Sequence, residues 1–355
     1  MKFLTTEKNE IVLPDWEYNP SKLRKVTGTR FGALCGINPW STPFQAWCEI
    51  TKAAKPPFVD TIYMQAGRVI EPKIIDWLKT QFGSDRVVSP AEYFKRDMSN
   101  VYDFYPNEEI FGGMWDVLLL NKAGKPIGVF EIKTTKRVED WLENPPLYYL
   151  AQAFLYAKLL GLNKAIMVLC VMDEDDYEHP EQKVVDSNNT YTFMYDIDDK
   201  DNCPIDIDVL METAAKLWKT HVITGCSPQF DEKKDDEYLT ILRTANVNVD
   251  EDINAVLSAL TEIIASIYKI RTDNNLDELE KLESKYKDQL KELFKQQMSE
   301  SDKYVELGGW KLTKSEPSIS YDVKAFIKEN PQFEEVLNAY KKTSQPTYRF
   351  TKTKN

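Results

Sequence analysis

Histidine is nearly absent from this chain of 355 residues, with His179 and His221 the only two. That argues against a His-centred catalytic triad and against a multi-histidine metal cage. The five cysteines (Cys35, Cys48, Cys170, Cys203, Cys226) are scattered and never form a Cys-x-x-Cys pair. A disulfide framework, a zinc site and an iron–sulfur cluster are therefore all disfavoured. No run of about 18 apolar residues occurs, so no membrane-spanning helix is expected. The opening stretch MKFLTTEKNE lacks the apolar core of a signal peptide, which predicts a cytoplasmic protein. No internal repeat is visible. What remains for chemistry is carboxylates, lysines and hydroxyls, on a chain whose 42% hydrophobic content can build a sizeable core.

The net charge is −12, which opposes non-specific attraction to nucleic acid. The charge is uneven, however. Acidic runs lie at Asp173–Glu178 and Asp231–Glu237, while Lys22, Arg24, Lys25 and Arg30 cluster, as do Lys133, Lys136 and Arg137. The C-terminal end is basic. Whole-chain charge governs solubility and steering, not what one groove binds.

Apolar spacing and punctuation divide the chain. Phe31, Leu34 and Ile37 predict a short helix ending at Asn38-Pro39, and Thr42-Pro43 a second helix with Pro43 in its first turn. Ile70, Ile74, Ile75, Leu78 and Phe82 predict a helix over 64–82, stopped by Gly83. Residues 85–106 read as strands and loop. The stretch 113–133 reads as a β-hairpin around Lys122-Ala-Gly-Lys125. A helix over 147–160, a buried strand over 164–172, a neighbouring strand over 191–197 and a helix over 205–223 follow. After an acidic linker near 231–237, two long helices (252–270 and 276–297) predict a helical hairpin or short coiled coil. A strand pair around Gly308-Gly309, two short helices (322–329 and 331–340) and a basic end close the chain. The expected domains are 1–230, an α/β unit; 231–300, a helical hairpin; and 301–355, a C-terminal β-hairpin and helix segment.

The 113–133 hairpin holds the most informative residues. A two-residue turn at Ala123-Gly124 pairs Lys122 with Lys125 and puts Asp116 opposite Glu131. Glu131 and Lys133, two apart, share one strand face. Directly opposed like charges cost stability unless a cation lies between them. Hard carboxylate oxygens suit Mg²⁺ or Mn²⁺, and the lysine can orient a water or stabilise phosphoryl charge. A solvent-facing hairpin side with a Lys–Asp salt bridge would have the same pattern. On the 64–82 helix Glu71 faces the apolar side, where an unpaired charge is expensive, although the positive helix start also tolerates it. Gln152 and Tyr156 lie four apart beside the packing stripe of the 147–160 helix.

Taken in order, Glu71, Asp116, Glu131-Ile-Lys133, Gln152 and Tyr156 resemble the PD-(D/E)XK nucleases, and more specifically the YqaJ-like viral recombinase and lambda-exonuclease-like family. The match rests on Val26-Thr-Gly-Thr-Arg-Phe-Gly-Ala-Leu-Cys-Gly36 with Pro39-Trp40; Ala66-Gly-Arg-Val-Ile-Glu-Pro72; Gly113-Met-Trp-Asp116 with Glu131-Ile-Lys133; and Leu150-Ala-Gln-Ala-Phe-Leu-Tyr156. The resemblance implies an α/β fold with a PD-(D/E)XK core, a mixed central sheet flanked by helices, and a C-terminal helical-hairpin extension. It implies Asp116 and Glu131 as ligands of Mg²⁺ or Mn²⁺, helped by Glu71 and the Ile132 carbonyl, with Lys133 orienting the attacking water. Gln152 and Tyr156 would sit by the DNA, and Thr29 with Arg24 or Arg30 near a 5′ phosphate. Lys136 and Arg137, just past the catalytic strand, would touch flanking phosphates. The implied activity is 5′→3′ digestion of double-stranded DNA ends, with a single-strand annealing protein as partner and a ring-shaped homo-oligomer as a possible assembly, in a bacterial host or encoded by a phage. An endonuclease with the same core, and a non-catalytic DNA-binding or interaction protein, are the alternatives.

Overall fold

In a computed structural model, residues 3–14, 18–141, 143–245, 251–270, 277–315, 319–321, 341–343 and 346–352 are described. The chain forms two compact units, Leu4–Tyr238 and Leu239–Asn355 together with Met1–Phe3. Among the described residues no helix is long and apolar enough to cross a membrane.

The first unit is mixed α/β. Its central sheet runs β1 (Val87–Val88), β2 (Val117–Leu120), β3 (Pro126–Thr135), β4 (Lys164–Val171) and β5 (Thr190–Asp196), in that spatial order. All neighbours are antiparallel except β3 and β4, which are parallel. A parallel pair needs a crossover, supplied by the helix over Leu147–Leu159. Helices α1 (Gly28–Leu34), α2 (Pro43–Thr51), α3 (Ile62–Phe82), α4 (Leu147–Leu159) and α5 (Ile207–Leu217) accompany the sheet. The architecture, a mixed central sheet flanked by helices, is the PD-(D/E)XK-like core that the resemblance implied.

Local chemistry explains the boundaries. Thr42 accepts a hydrogen bond from the Gln45 amide and Pro43 opens α2, a helix start whose orphan donors are capped by side chain and ring. Thr61 caps α3 in the same way. Ala66, Ile70, Ile74 and Leu78 of α3 pack with Val117 and Phe130 of the hairpin and Ile166 and Val168 of β4, forming one core. The 85–106 stretch holds β1 and a one-turn helix, Pro90–Phe94, closed by a Ser89/Glu92 capping box, where strands and loop were expected.

The hairpin turn differs from expectation. Asn121, not Lys122, pairs across to Lys125, and the Asn121 side chain accepts from the Ala123 and Lys125 amides. The register shifts by one between Leu119 and Leu120, which pairs with Pro126. The longer turn and the bulge cancel, so Val117 still faces Phe130 and Asp116 still arrives beside Glu131. The acidic segment near 231–237 is not wholly linker, since a helix, Asp236–Arg243, starts within it.

In the second unit, α6 (Glu251–Ile270) and α7 (Asp277–Gln297) pack against a four-stranded sheet. That sheet orders β9 (Tyr348–Lys352), β8 (Trp310–Lys314), β7 (Tyr304–Leu307) and β6 (Thr244–Ala245). Gly308 and Gly309, with φ of 60° and 77°, make the β7–β8 turn, which needs two left-handed residues. The core joins Leu260, Leu290, Phe294, Val305 and Leu312 to Trp310, whose ring stacks on Phe350 at 4.9 Å. The basic end thus contributes a strand through Phe350, as its paired partners require. The helices expected near 322–329 and 331–340 lie outside the described residues.

Candidate active site

The sheet delivers the acidic groups. Glu131, in the middle of β3, is buried at 1% exposure. Its Oε1 accepts from Lys133 Nζ at 2.5 Å and from Gln152 Nε2 at 2.6 Å. Its Oε2 is buried with no hydrogen-bond partner. A buried carboxylate oxygen without a partner is costly and calls for a cation or an ordered water. Asp116, at the mouth of β2, accepts from the Ile132 amide at 2.7 Å, which fixes its carboxylate against the next strand. Glu71 of α3, half-buried just before Pro72, faces the same acids.

Burial first, and then mutual repulsion, disfavour the ionised acids. Glu71 is pushed up to about 7 by burial and the Asp116 charge, with Lys133 opposing. Glu131 is pushed up to about 8 by burial and Asp116, again with Lys133 opposing. Asp116 is raised by burial, against Lys133 and the Ile132 amide. Burial disfavours the Lys133 ammonium, but the charges of Glu131 and Asp116 outweigh this and hold it protonated. Three acids thus share one lysine. Among the described residues no group of three or more His, Cys, Asp or Glu side chains is arranged so that it could hold a metal ion. The donor set nevertheless fits a hard divalent cation: carboxylate oxygens only, one of them unpartnered, with a deficit of positive charge.

The remaining sequence candidates divide. Gln152 is in the site, tying α4 to Glu131. Tyr156, expected beside the DNA, is buried instead, at 4% exposure. Its hydroxyl accepts from the Gly28 amide, and burial with the charges of Glu131 and Asp116 pushes its pKa upward. It is a wall of the site. Thr29 is exposed, while Arg30 is held by Glu49 (3.1 Å) and Thr27 (3.1 Å). These residues line a concavity of about 240 Å³ with Ser41, so an acid already faces the arginine expected near a phosphate. Arg24 is half-buried, its amide donating to the Ile50 carbonyl. Lys136 is paired with Glu174, and Arg137 with Asp140 at 2.9 Å; both basic side chains are exposed.

Several contributors escaped the sequence reading. Tyr149 lies under Lys133, with the ammonium 5.1 Å from the ring centre. Asp103 accepts from the Gly113 and Tyr105 amides and pairs with Lys25 at 2.6 Å, fixing the chain that leads into Asp116. Gly28 and Gly113 permit the approach of α4: a Cβ on Gly28 would stand 2.4 Å from Gln152 Cγ, and one on Gly113 2.6 Å from the Tyr156 ring. Both glycines lay inside quoted motifs, but only the packed partners reveal why nothing larger fits.

Residues 17–161 match the YqaJ-like viral recombinase domain. The uncharacterized protein MG373 of Mycoplasma genitalium is 25% identical over 268 residues, covering 63% of this chain and 90% of its own. Its Mycoplasma pneumoniae homologue is 27% identical over 272 residues, covering 62% and 89%. No solved structure matches.

Proposed function

Residues 17–161 belong to the YqaJ-like viral recombinase domain family, and from that premise we propose that this protein is a divalent-metal-dependent deoxyribonuclease of phage-type recombination. In this reading it is a 5′→3′ exonuclease on double-stranded DNA ends, acting in the cytoplasm with a single-strand annealing protein. The observation that carries the proposal is the buried Glu131, with one oxygen unpartnered and the other held by Lys133 and Gln152, beside Asp116 and Glu71.

Asp116 and Glu131 would hold Mg²⁺ or Mn²⁺, with Glu71 and the Ile132 carbonyl assisting. The chemistry supplied by the bound ion is Lewis-acid neutralisation of the phosphate charge. The charges of Glu131 and Asp116 favour the protonated form of Lys133. Its ammonium has three donors and gives one to Glu131, so the others can orient an attacking water and meet charge developing on phosphorus. Gln152 holds Glu131 in place, and Tyr156 closes the wall behind it. In the same proposal catalysis is confined to the expected first domain, 1–230.

The test is digestion of linear and closed-circular duplex, with 5′-phosphate and 5′-hydroxyl ends, in Mg²⁺, Mn²⁺ and chelator. Metal-dependent shortening of linear DNA alone, with single 5′ nucleotides released, is expected. Cutting of circles would replace the exonuclease with an endonuclease, and inactivity on every substrate would overturn the proposal.

A further inference from the structure

Trp40 is 67% exposed, yet it is held at three points. Its amide donates to Asn38 Oδ1 at 2.9 Å, its indole Nε1 donates to the Tyr148 hydroxyl at 3.3 Å, and the Arg137 guanidinium lies 5.5 Å from its ring centre. An exposed aromatic by itself is ordinary. One that is fixed in orientation while most of its surface stays open is a preorganised platform.

Its position strengthens the point. Tyr148 packs on Tyr149 with ring centres 4.2 Å apart, and Tyr149 lies under the Lys133 ammonium. Tyr149 stacks in turn on the buried Trp141 at 5.8 Å. An aromatic path therefore runs from the site lysine to the surface and ends at Trp40. Gly32 makes the path possible, since a Cβ there would stand 3.2 Å from Tyr148 Cβ. Arg137, only four residues beyond Lys133 and paired with Asp140 at 2.9 Å, adds an exposed guanidinium at the outer end.

We propose that Trp40, backed by Arg137 and tethered by Tyr148, is a stacking platform for an unpaired nucleobase of single-stranded DNA beside the carboxylate–lysine site. A flat face with a cation beside it suits a base and its phosphate together, whatever the sequence. The unpaired strand is favoured over duplex because bases inside a helix are stacked on one another and offer no free face. The inference rests on the nuclease reading for the identity of the ligand, but not for its test.

The experiment measures binding of a fluorescein-labelled oligothymidylate, and of a blunt duplex of equal length, by anisotropy in chelator, where nothing is cut. Wild type, Trp40→Ala, Trp40→Phe and Tyr148→Phe are compared. Trp40→Ala should weaken single-strand binding about ten-fold, within the range measured for one stacked base. Trp40→Phe should recover most of that loss, Tyr148→Phe should lose part, and duplex binding should change less than about two-fold. Because Trp40 is exposed, the melting temperature should hold. Absence of single-strand binding by wild type, unchanged binding by Trp40→Ala, or equal losses on both DNA forms would each overturn the platform. Failure of the nuclease reading is a separate result: no metal-dependent cleavage, with the Trp40 dependence intact.

Discussion

Lys133 illustrates how one residue takes its role from its neighbours. On the sequence, Glu131-Ile-Lys133 is a short pattern that any amphipathic hairpin could carry. In the structure the lysine bonds an acid that is almost fully buried and faces two more. Its protonation is a consequence of that company. Lys133→Ala should lower turnover about a hundred-fold or more, the loss typical of removing one donor that stabilises transition-state charge, with DNA affinity changed little. Steady-state cleavage beside chelator-phase binding checks this, and full activity would remove Lys133 from the chemistry. Lys136 makes the opposite case. It was expected to meet phosphates, but Glu174 already pairs with it at the surface. Such a pair contributes little to stability, and it competes with DNA. Glu174→Gln should tighten binding and steepen its salt dependence by up to about one charge, while Lys136→Ala with Arg137→Ala should weaken and flatten it. A salt titration of duplex binding reads both, and equal slopes in all three proteins would end the argument.

Elements explain what the sequence could and could not reveal. The α3 periodicity, the β4 run and the Thr42-Pro43 start of α2 are local signals, and those elements formed where their residues indicated. The hairpin was legible for a less direct reason. Its turn is one residue longer than expected, and a bulge absorbs the difference, so the meeting of Asp116 and Glu131 survived an incorrect turn. Sequence periodicity reports faces, and bulges preserve faces while changing registers. Tyr149, Asp103 and the two tight glycines were illegible because their partners are distant in the chain. Gly28 shows the scale of that effect. A methyl there would meet Gln152 and Tyr156 at 2.4 and 2.6 Å, so α1 and α4 would have to part. Gly28→Ala should cost about 2 kcal/mol, as overpacking does, and should impair turnover by moving Gln152 off Glu131. Urea denaturation with parallel kinetics measures both. A variant as stable and active as wild type would show that the two helices are not tightly fitted.

For the whole molecule the decisive quantity is the charge concentrated at the site rather than the −12 spread over the chain. Glu71 and Glu131, with pKa values raised to about 7 and about 8, and Asp116, raised by burial, all bind protons more tightly folded than unfolded. A raised folded pKa contributes stability that is complete below the unfolded value and disappears as pH climbs through the folded value. Cation-free protein should therefore lose stability between about pH 4.5 and 8, as these acids are forced to ionise together. Mg²⁺ binding only the folded state acts against that loss, and protons compete with it for the same oxygens. The rise in melting temperature on adding Mg²⁺ should thus be several degrees at pH 8 and close to nothing at pH 5. Glu71→Gln removes one repelled charge, so it should raise the cation-free melting temperature at pH 8 and leave it unchanged at pH 5. Its gain, about 1 kcal/mol after allowing for solvent screening of a half-buried group, would come with weaker Mg²⁺ binding. A fluorimetric melt across that pH range, with chelator, Mg²⁺ and the variant, resolves the matter. A Mg²⁺ shift of equal size at both ends of the range would mean that the ion binds elsewhere, and that the three acids are not held apart by charge.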